Sequence, residues 1–154
     1  MNFSDDGWRS SQRALASELI NASGASPANH VTIAGAEHLE VLIEFIRRGF
    51  AHVLCRSANH GPHMATPPAD ILIAPDAKSE ADLCRVLTRL GCDLRPCGML
   101  VISYVHNRSS LTERRLRRLL VESGFLAVER IASRGSADAI WRARKAPASM
   151  ARAA

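Results

Sequence analysis

The sequence predicts an α/β domain: an open, mostly parallel sheet with helices on both faces, preceded by an N-terminal helix and closed by a C-terminal antiparallel hairpin. Three observations predict it. Short β-branched runs alternate with helical apolar stripes between residues 30 and 124, the pattern of parallel strands joined by crossover helices. Asp70-Ile71-Leu72-Ile73-Ala74 carries an unbroken apolar run, as a strand covered on both faces requires. The last two strand-like runs, Leu126–Ile131 and Ala137–Ala143, are joined only by Ala132–Ser136, too short for a crossover helix, so they pair antiparallel.

Each element follows from local chemistry. Ser4, Asp5 and Asp6 offer N-caps, and Trp8, Leu15 and Leu19 recur at helical spacing, giving a helix over about 5–22 that Gly24 and Pro27 end. His30–Ala34 is the first strand, bounded by Gly35. From Glu37 the period turns helical: Leu39, Leu42, Ile43 and Ile46 form the expected buried stripe, Glu40, Glu44, Arg47 and Arg48 face water, and Glu44 can pair with Arg48. Gly49 stops this helix and Ala51–Cys55 is the second strand, completing a βαβ unit. The stretch 56–68, with three prolines and a glycine, reads as loop. After the strand at 70–74, a helix starts near Ser79 with Leu83, Val86, Leu87 and Leu90 on one stripe and Gly91 as C-cap. Met99–Ser103 is the next strand. Ser110 and Glu113 read as a capping box for a helix that buries Leu116, Leu119 and Leu120, exposes Arg114, Arg115, Arg117 and Arg118, and ends at Gly124. Residues 1–146 thus form one domain, with 1–29 its N-terminal helix and linker, and 147–154 a flexible tail.

A chain of 154 residues builds one core. With 47% hydrophobic and 23% charged residues, it is globular and neither disordered nor fibrous. No apolar run reaches the roughly 18 residues of a membrane span, and Asp5 and Asp6 stand where a signal peptide carries base, so the cytoplasm is the expected compartment. Aromatics, at 5%, are too few for base-stacking platforms. The net charge of +5 is uneven. Residues 1–107 hold 9 Lys or Arg against 11 Asp or Glu, whereas residues 108–154 hold 11 against 4. Of the 20 basic residues 18 are Arg, a bias typical of a GC-rich bacterial genome. Such surface attracts phosphate only nonspecifically, and nucleic acid is not an expected partner.

Cys55, Cys84, Cys92 and Cys97 read as free thiols in this setting. The last three lack the two-residue spacing of a zinc knuckle. Cys55, His60 and His63 are the sharper metal candidate, set against the plainer reading of a buried thiol followed by two loop histidines; no metal is expected.

The order of elements and several residues resemble the class I S-adenosylmethionine-dependent methyltransferases, whose Rossmann-like sheet closes with such a hairpin. Arg95-Pro96-Cys97-Gly98, entering Met99–Ser103, is similar to that family's Pro-Gly-Gly turn, with Cys97 at the first glycine. Ser123-Gly124-Phe125 resembles its helix-to-strand junction, and Trp141–Lys145 its closing strand. The resemblance implies the fold over about 69–146, and S-adenosylmethionine as the cofactor of any enzyme built on it.

The resemblance also implies where the cofactor would lie, and there the sequence departs. The loop after the first strand, Gly35-Ala36-Glu37-His38, keeps one glycine, and Glu37 and His38 fill space the methionine moiety would take. Where the family has an acid for the ribose hydroxyls, this chain has Arg56, which has no acceptor. Between Cys55 and Ala69 there is no room for a helix, strand and helix, so one edge of the sheet is shortened. Asp76, after the fourth element of this series, stands at the carboxyl edge where α/β ligands bind; its plain reading is a turn residue. Asp70, at a strand start, belongs to the opposite edge.

The implied candidate cofactor residues are therefore Gly35, Glu37, Arg56 and Asp76. The expected function is a methyltransferase-like domain with a lost or remodelled S-adenosylmethionine pocket, whose substrate and catalytic base carry no motif. Three alternatives stay open: an active S-adenosylmethionine-dependent methyltransferase, a binder of a phosphorylated nucleotide through Arg56, and a non-catalytic homodimer. No Gly-x-Ser-x-Gly elbow supports hydrolase chemistry.

Overall fold

The computed structural model describes residues 5–35, 38–59, 66–105, 112–131 and 138–151. Its elements run α1 (Asp5–Ser23), β1 (Val31–Ala34), α2 (Leu39–Arg47), β2 (Val53–Arg56), β3 (Ala69–Ala74), α3 (Glu80–Arg89), a 3-10 turn (Gly91–Asp93), β4 (Leu94–Val105), α4 (Glu113–Glu122), β5 (Phe125–Ile131), β6 (Asp138–Lys145) and α5 (Ala148–Ala151). The six strands form one sheet in the order β2-β1-β3-β4-β6-β5. β2, β1, β3 and β4 are parallel, and β6 pairs antiparallel with both β4 and β5, as the short link predicts.

Two apolar layers hold the sheet. On one face α1 and α2 pack Leu15, Leu19, Ile20, Val41 and Phe45 against Val31, Ile33, Ile71, Ile73, Val101 and Ile140. α1 therefore covers its own sheet; its Trp8 side chain lies outside the description. On the other face α3 and α4 pack Leu83, Leu87, Leu116 and Leu120 against Leu72, Leu100, Ile102, Tyr104 and Trp141. Each fully buried leucine of these layers is worth roughly 1.5–3 kcal/mol. β3 is apolar at successive positions because both layers reach it: Leu72 joins one, Ile71 and Ile73 the other.

Several elements differ from the sequence expectation, each for a local reason. α2 does not bury Leu39 and Ile46, which are 58% and 57% exposed; Val41 and Phe45 take the core position instead. Glu44 turns toward α1 rather than water, taking Arg48 at 3.2 Å as expected and also Arg13 at 3.7 Å. Gly91 opens a 3-10 turn instead of capping α3, whose C-cap is Leu90. β4 begins at Leu94, five residues early, because the Arg95–Gly98 turn is a bulge within the strand: Ala69 pairs with Leu94 while Ile71 pairs with Met99. Cys97 there has φ +63°, the backbone region that favours glycine, which agrees with its resemblance to a glycine position. Thr112, not Ser110, caps α4 by accepting from the Arg115 N–H at 3.3 Å; Ser110 lies outside the described residues. The tail carries one helical turn, started by Pro147, whose carbonyl accepts from the Met150 N–H at 3.0 Å. Ser4 and the 132–136 link are also outside the described residues.

Candidate functional site

The chain crosses from β1 to β2 on one side and returns to β3 on the other side of β1. The carboxyl ends of β1 and β3 are thus the point where strand order reverses, and open α/β sheets bind ligands there. A cleft of about 250 Å³ lies at that point. Its floor is Ala34 and Gly35 at the end of β1 and Ala74, Pro75 and Asp76 at the end of β3, and its walls are Ser57 to Asn59 and the first turns of α3. Gly35 has φ +103°, which a side chain would strain, and its N–H donates to the Arg56 carbonyl at 2.8 Å, tying the loop after β1 to the end of β2.

Asp76 lines this cleft and also departs from ordinary backbone, with φ +55°. Its neighbour Ala77 is buried, and the Ala77 N–H donates to the Ser103 carbonyl at 2.9 Å, so the turn after β3 is pinned to β4. The Asp76 carboxylate stays 40% exposed, 3.6 Å from Lys78. Across the cleft Arg85 meets Asp82 at 3.3 Å, and the Ser79 hydroxyl caps α3 by accepting from the Asp82 N–H at 3.1 Å. The lining therefore carries two carboxylates and two cations, with His38 at the start of α2. Lys78, Arg85, His38, Ser57 and Asn59 are cleft residues that the sequence reading did not assign to a ligand; the signal available for Lys78 was its place two residues after Asp76 in one turn.

Arg56 does not line the cleft. Its side chain is 10% exposed, and its guanidinium Nη1 meets Asp93 Oδ2 at 2.7 Å and Thr66 Oγ1 at 3.0 Å. The turn that presents Asp93 is itself fixed by Lys145, whose Nζ donates to the Gly91 and Leu94 carbonyls at 2.8 and 2.6 Å, and burial pushes that lysine's pKa down. Arg56 thus covers the face between the loop after β2 and the end of α3. Glu37 lies outside the described residues. Asp70 is at the opposite edge as expected, accepting from the His30 N–H at 2.8 Å and from Arg95 at 2.7 Å.

The metal candidate is not assembled by described residues. Cys55 is half-buried, and burial pushes its thiol pKa up; His60 and His63 lie outside the described residues. Among the described residues no three His, Cys, Asp or Glu side chains gather as a metal site, and all four cysteines are free. Among the described residues of the basic C-terminal segment, Arg115 pairs with Glu80, Arg118 with Glu122, Arg130 with Glu113 and Arg142 with Glu129, while the Arg117 guanidinium lies 5.5 Å from the Trp141 ring centroid. Among the described residues no helix is long and apolar enough to cross a membrane.

Comparison with solved structures gives the fold a family name. The N-methyltransferase NodS from Bradyrhizobium japonicum, in complex with S-adenosyl-L-homocysteine, superposes with a TM-score of 0.60 at 16% identity, covering 93% of each chain. An S-adenosylmethionine-dependent methyltransferase from Thermotoga maritima, a possible histamine N-methyltransferase, gives 0.62 at 14% identity over 91% of this chain and 94% of its own. This chain has the class I methyltransferase fold. The glycopeptide N-methyltransferase MtfA, also complexed with S-adenosyl-L-homocysteine, shares that fold with a TM-score of 0.63 at 14% identity over 86% of this chain and 89% of its own. No family model and no curated protein matches the sequence itself. The methyltransferase fold is thus carried here by a sequence far from those of its structural neighbours, and it places the cleft of Gly35 and Asp76 at the carboxyl edge of the sheet.

Proposed function

We propose that this chain is a methyltransferase-like domain whose S-adenosylmethionine pocket has been remodelled, so that it does not hold that cofactor in the family's manner. One observation carries the reading: the residue at the end of β2 is an arginine locked to Asp93 and Thr66, with Ser57 and Asn59 on the adjoining cleft wall. The resemblance puts a carboxylate at that place, to accept hydrogen bonds from two ribose hydroxyls. A bidentate acceptor is worth more than neutral contacts and its loss leaves hydroxyls to find water. The cleft, at about 250 Å³, is also smaller than the roughly 300–1,000 Å³ of usual small-molecule sites.

The residues described fit an adenosylmethionine only in part. Gly35 supplies the close backbone approach, and Asp76 supplies a carboxylate at the cleft, but on the wrong strand for the ribose. A melting screen separates the readings. S-adenosylmethionine and S-adenosylhomocysteine at millimolar concentration are expected to leave the midpoint unchanged. A ligand present at a hundred times its dissociation constant stabilises by about 2.7 kcal/mol, so micromolar binding would shift the midpoint by several degrees and return the active methyltransferase. A shift with NADP or an adenosine phosphate, abolished in Arg56→Glu, would support the phosphorylated-nucleotide reading, which the Arg56–Asp93 pair disfavours.

A further inference from the structure

The two edges of the sheet are guarded differently. β5, at one end, carries Glu129 and Arg130 on its surface and a bulge between Leu126 and Glu129, with Ala127 at φ +50°. Charge and a bulge are the devices that keep an edge strand from pairing with another chain. β2, at the other end, has neither. Its one charge, Arg56, is drawn away to Asp93, and Leu54 is 46% exposed. The inner side of β2 is satisfied through its even-numbered residues, since the Val31 N–H donates to the His52 carbonyl and the Gly35 N–H to the Arg56 carbonyl, both at 2.8 Å. The N–H and C=O of Val53 and Cys55 therefore point outward, and among the described residues no strand pairs with them.

The helix above this edge is apolar on the same flank. Glu44 and Arg48 hold α2 to α1, where Arg48 reaches Asn21 at 2.9 Å and also bonds Ser17. Val41 and Phe45 face the core. At 100° per residue, Leu39, Leu42 and Ile46 then lie on the flank away from α1, and the two ends of that stripe are more than half exposed.

We propose that a second copy of this chain docks on this edge, about a two-fold axis normal to the sheet at Leu54. The surface is its own complement. An antiparallel pair of β2 strands centred on Leu54 brings Val53 of each copy opposite Cys55 of the other, closing four backbone hydrogen bonds, and sets the two exposed Leu54 side chains together as a non-hydrogen-bonded pair. The same axis lays the α2 helices side by side and antiparallel. Leu39 then meets the partner's Ile46. A stripe of i and i+7 apolar residues beside an unpaired strand edge matches an inverted copy of itself, as isologous contacts require. A four-residue strand and a nine-residue helix bury area at the low end of specific interfaces, so the dimer is expected to be of micromolar strength.

Sedimentation equilibrium of the full chain over about 1–300 micromolar tests this, because a contact of that strength dissociates within the range. The mass is expected to rise from 16.7 kDa toward twice that value. Ile46→Glu should remain monomeric throughout, while Val121→Glu, equally exposed on α4, should dimerise as the parent does. Leu39→Glu should likewise stay monomeric while keeping the parent's melting midpoint, and Glu40→Arg, on the polar side of α2 away from the stripe, should dimerise as the parent does, a pattern that a folding defect would not give. A chain that stays monomeric at the highest concentration overturns the proposal. So does a dimer that survives Ile46→Glu or Leu39→Glu.

Discussion

At one end of the sheet β4 and β6 run side by side for seven paired residues, with β6 flanked on its other side by β5, and their inward side chains Leu100, Ile102, Trp141 and Ala143 are almost wholly buried. At the other end β2 has four residues, no fully buried side chain and, among the described residues, one neighbouring strand. The first region closes the sheet with the antiparallel strands of the methyltransferase fold; at the second, β2 ends on Arg56, held by Asp93 and Thr66. The difference teaches that the sheet is anchored by burial at its antiparallel end, whereas the end beside the candidate cleft is a short strand whose last side chain is fixed by an ion pair.

That contrast can be broken by mutation. Leu100→Ala, at a site with no exposure in the long strand β4, is expected to cost about 2–5 kcal/mol in urea denaturation, whereas Val53→Ala at the short edge should cost about 1 kcal/mol or less. Equal losses would mean that the two ends share one packing regime. Gly98→Ala should cost about 1–3 kcal/mol, since an added Cβ would sit 2.8 Å from the Arg95 carbonyl oxygen and from Leu94, and the bulge that starts β4 would have to shift. A neutral result would remove the close approach as the reason for glycine there. Arg56→Met should destabilise by about 1–2 kcal/mol by leaving Asp93 without its partner, and Asp93→Asn should do much the same. If neither change alters stability, Arg56 is available for a ligand after all.

The smallest expected effect concerns pH. Arg115 holds the Glu80 carboxyl below the usual glutamate range, chiefly through two hydrogen bonds of 2.9 and 2.8 Å. A depressed folded-state pKa stabilises the protein above the ordinary carboxylate range and loses that contribution as pH falls through and below it. Glu80→Gln should therefore lower the melting midpoint slightly at neutral pH and leave it unchanged at strongly acidic pH. A constant difference at all pH values would mean that the pair acts through packing alone.

Much of the fold was legible because few alternatives existed. The unbroken apolar run of β3 and the short link before β6 each admit one structural solution. The face of α2 was not legible. Leu39, Leu42, Ile43 and Ile46 match the helical template, but Val41 and Phe45 are apolar as well, so more than half the helix circumference is apolar and periodicity cannot choose the core side. The edge position of β2 decides it, and that is a tertiary fact. The start of β4 was hidden for a similar reason, since Pro96 and Gly98 read as turn residues and are turn residues, yet the turn is a bulge within the strand. At the candidate site, Gly35 and Asp76 were legible from their place after strands. The fate of Arg56 was not, because its partner Asp93 is 37 residues away in the chain.

Isothermal titration of the full chain with S-adenosylhomocysteine bears most directly on the central claim, that the fold is kept and the cofactor pocket is remodelled. The account predicts no binding heat at micromolar ligand, in the parent chain and in Asp76→Ala alike. A micromolar dissociation constant in the parent that is lost in Asp76→Ala would contradict it, and would place a working methyltransferase pocket in the cleft between β1 and β3.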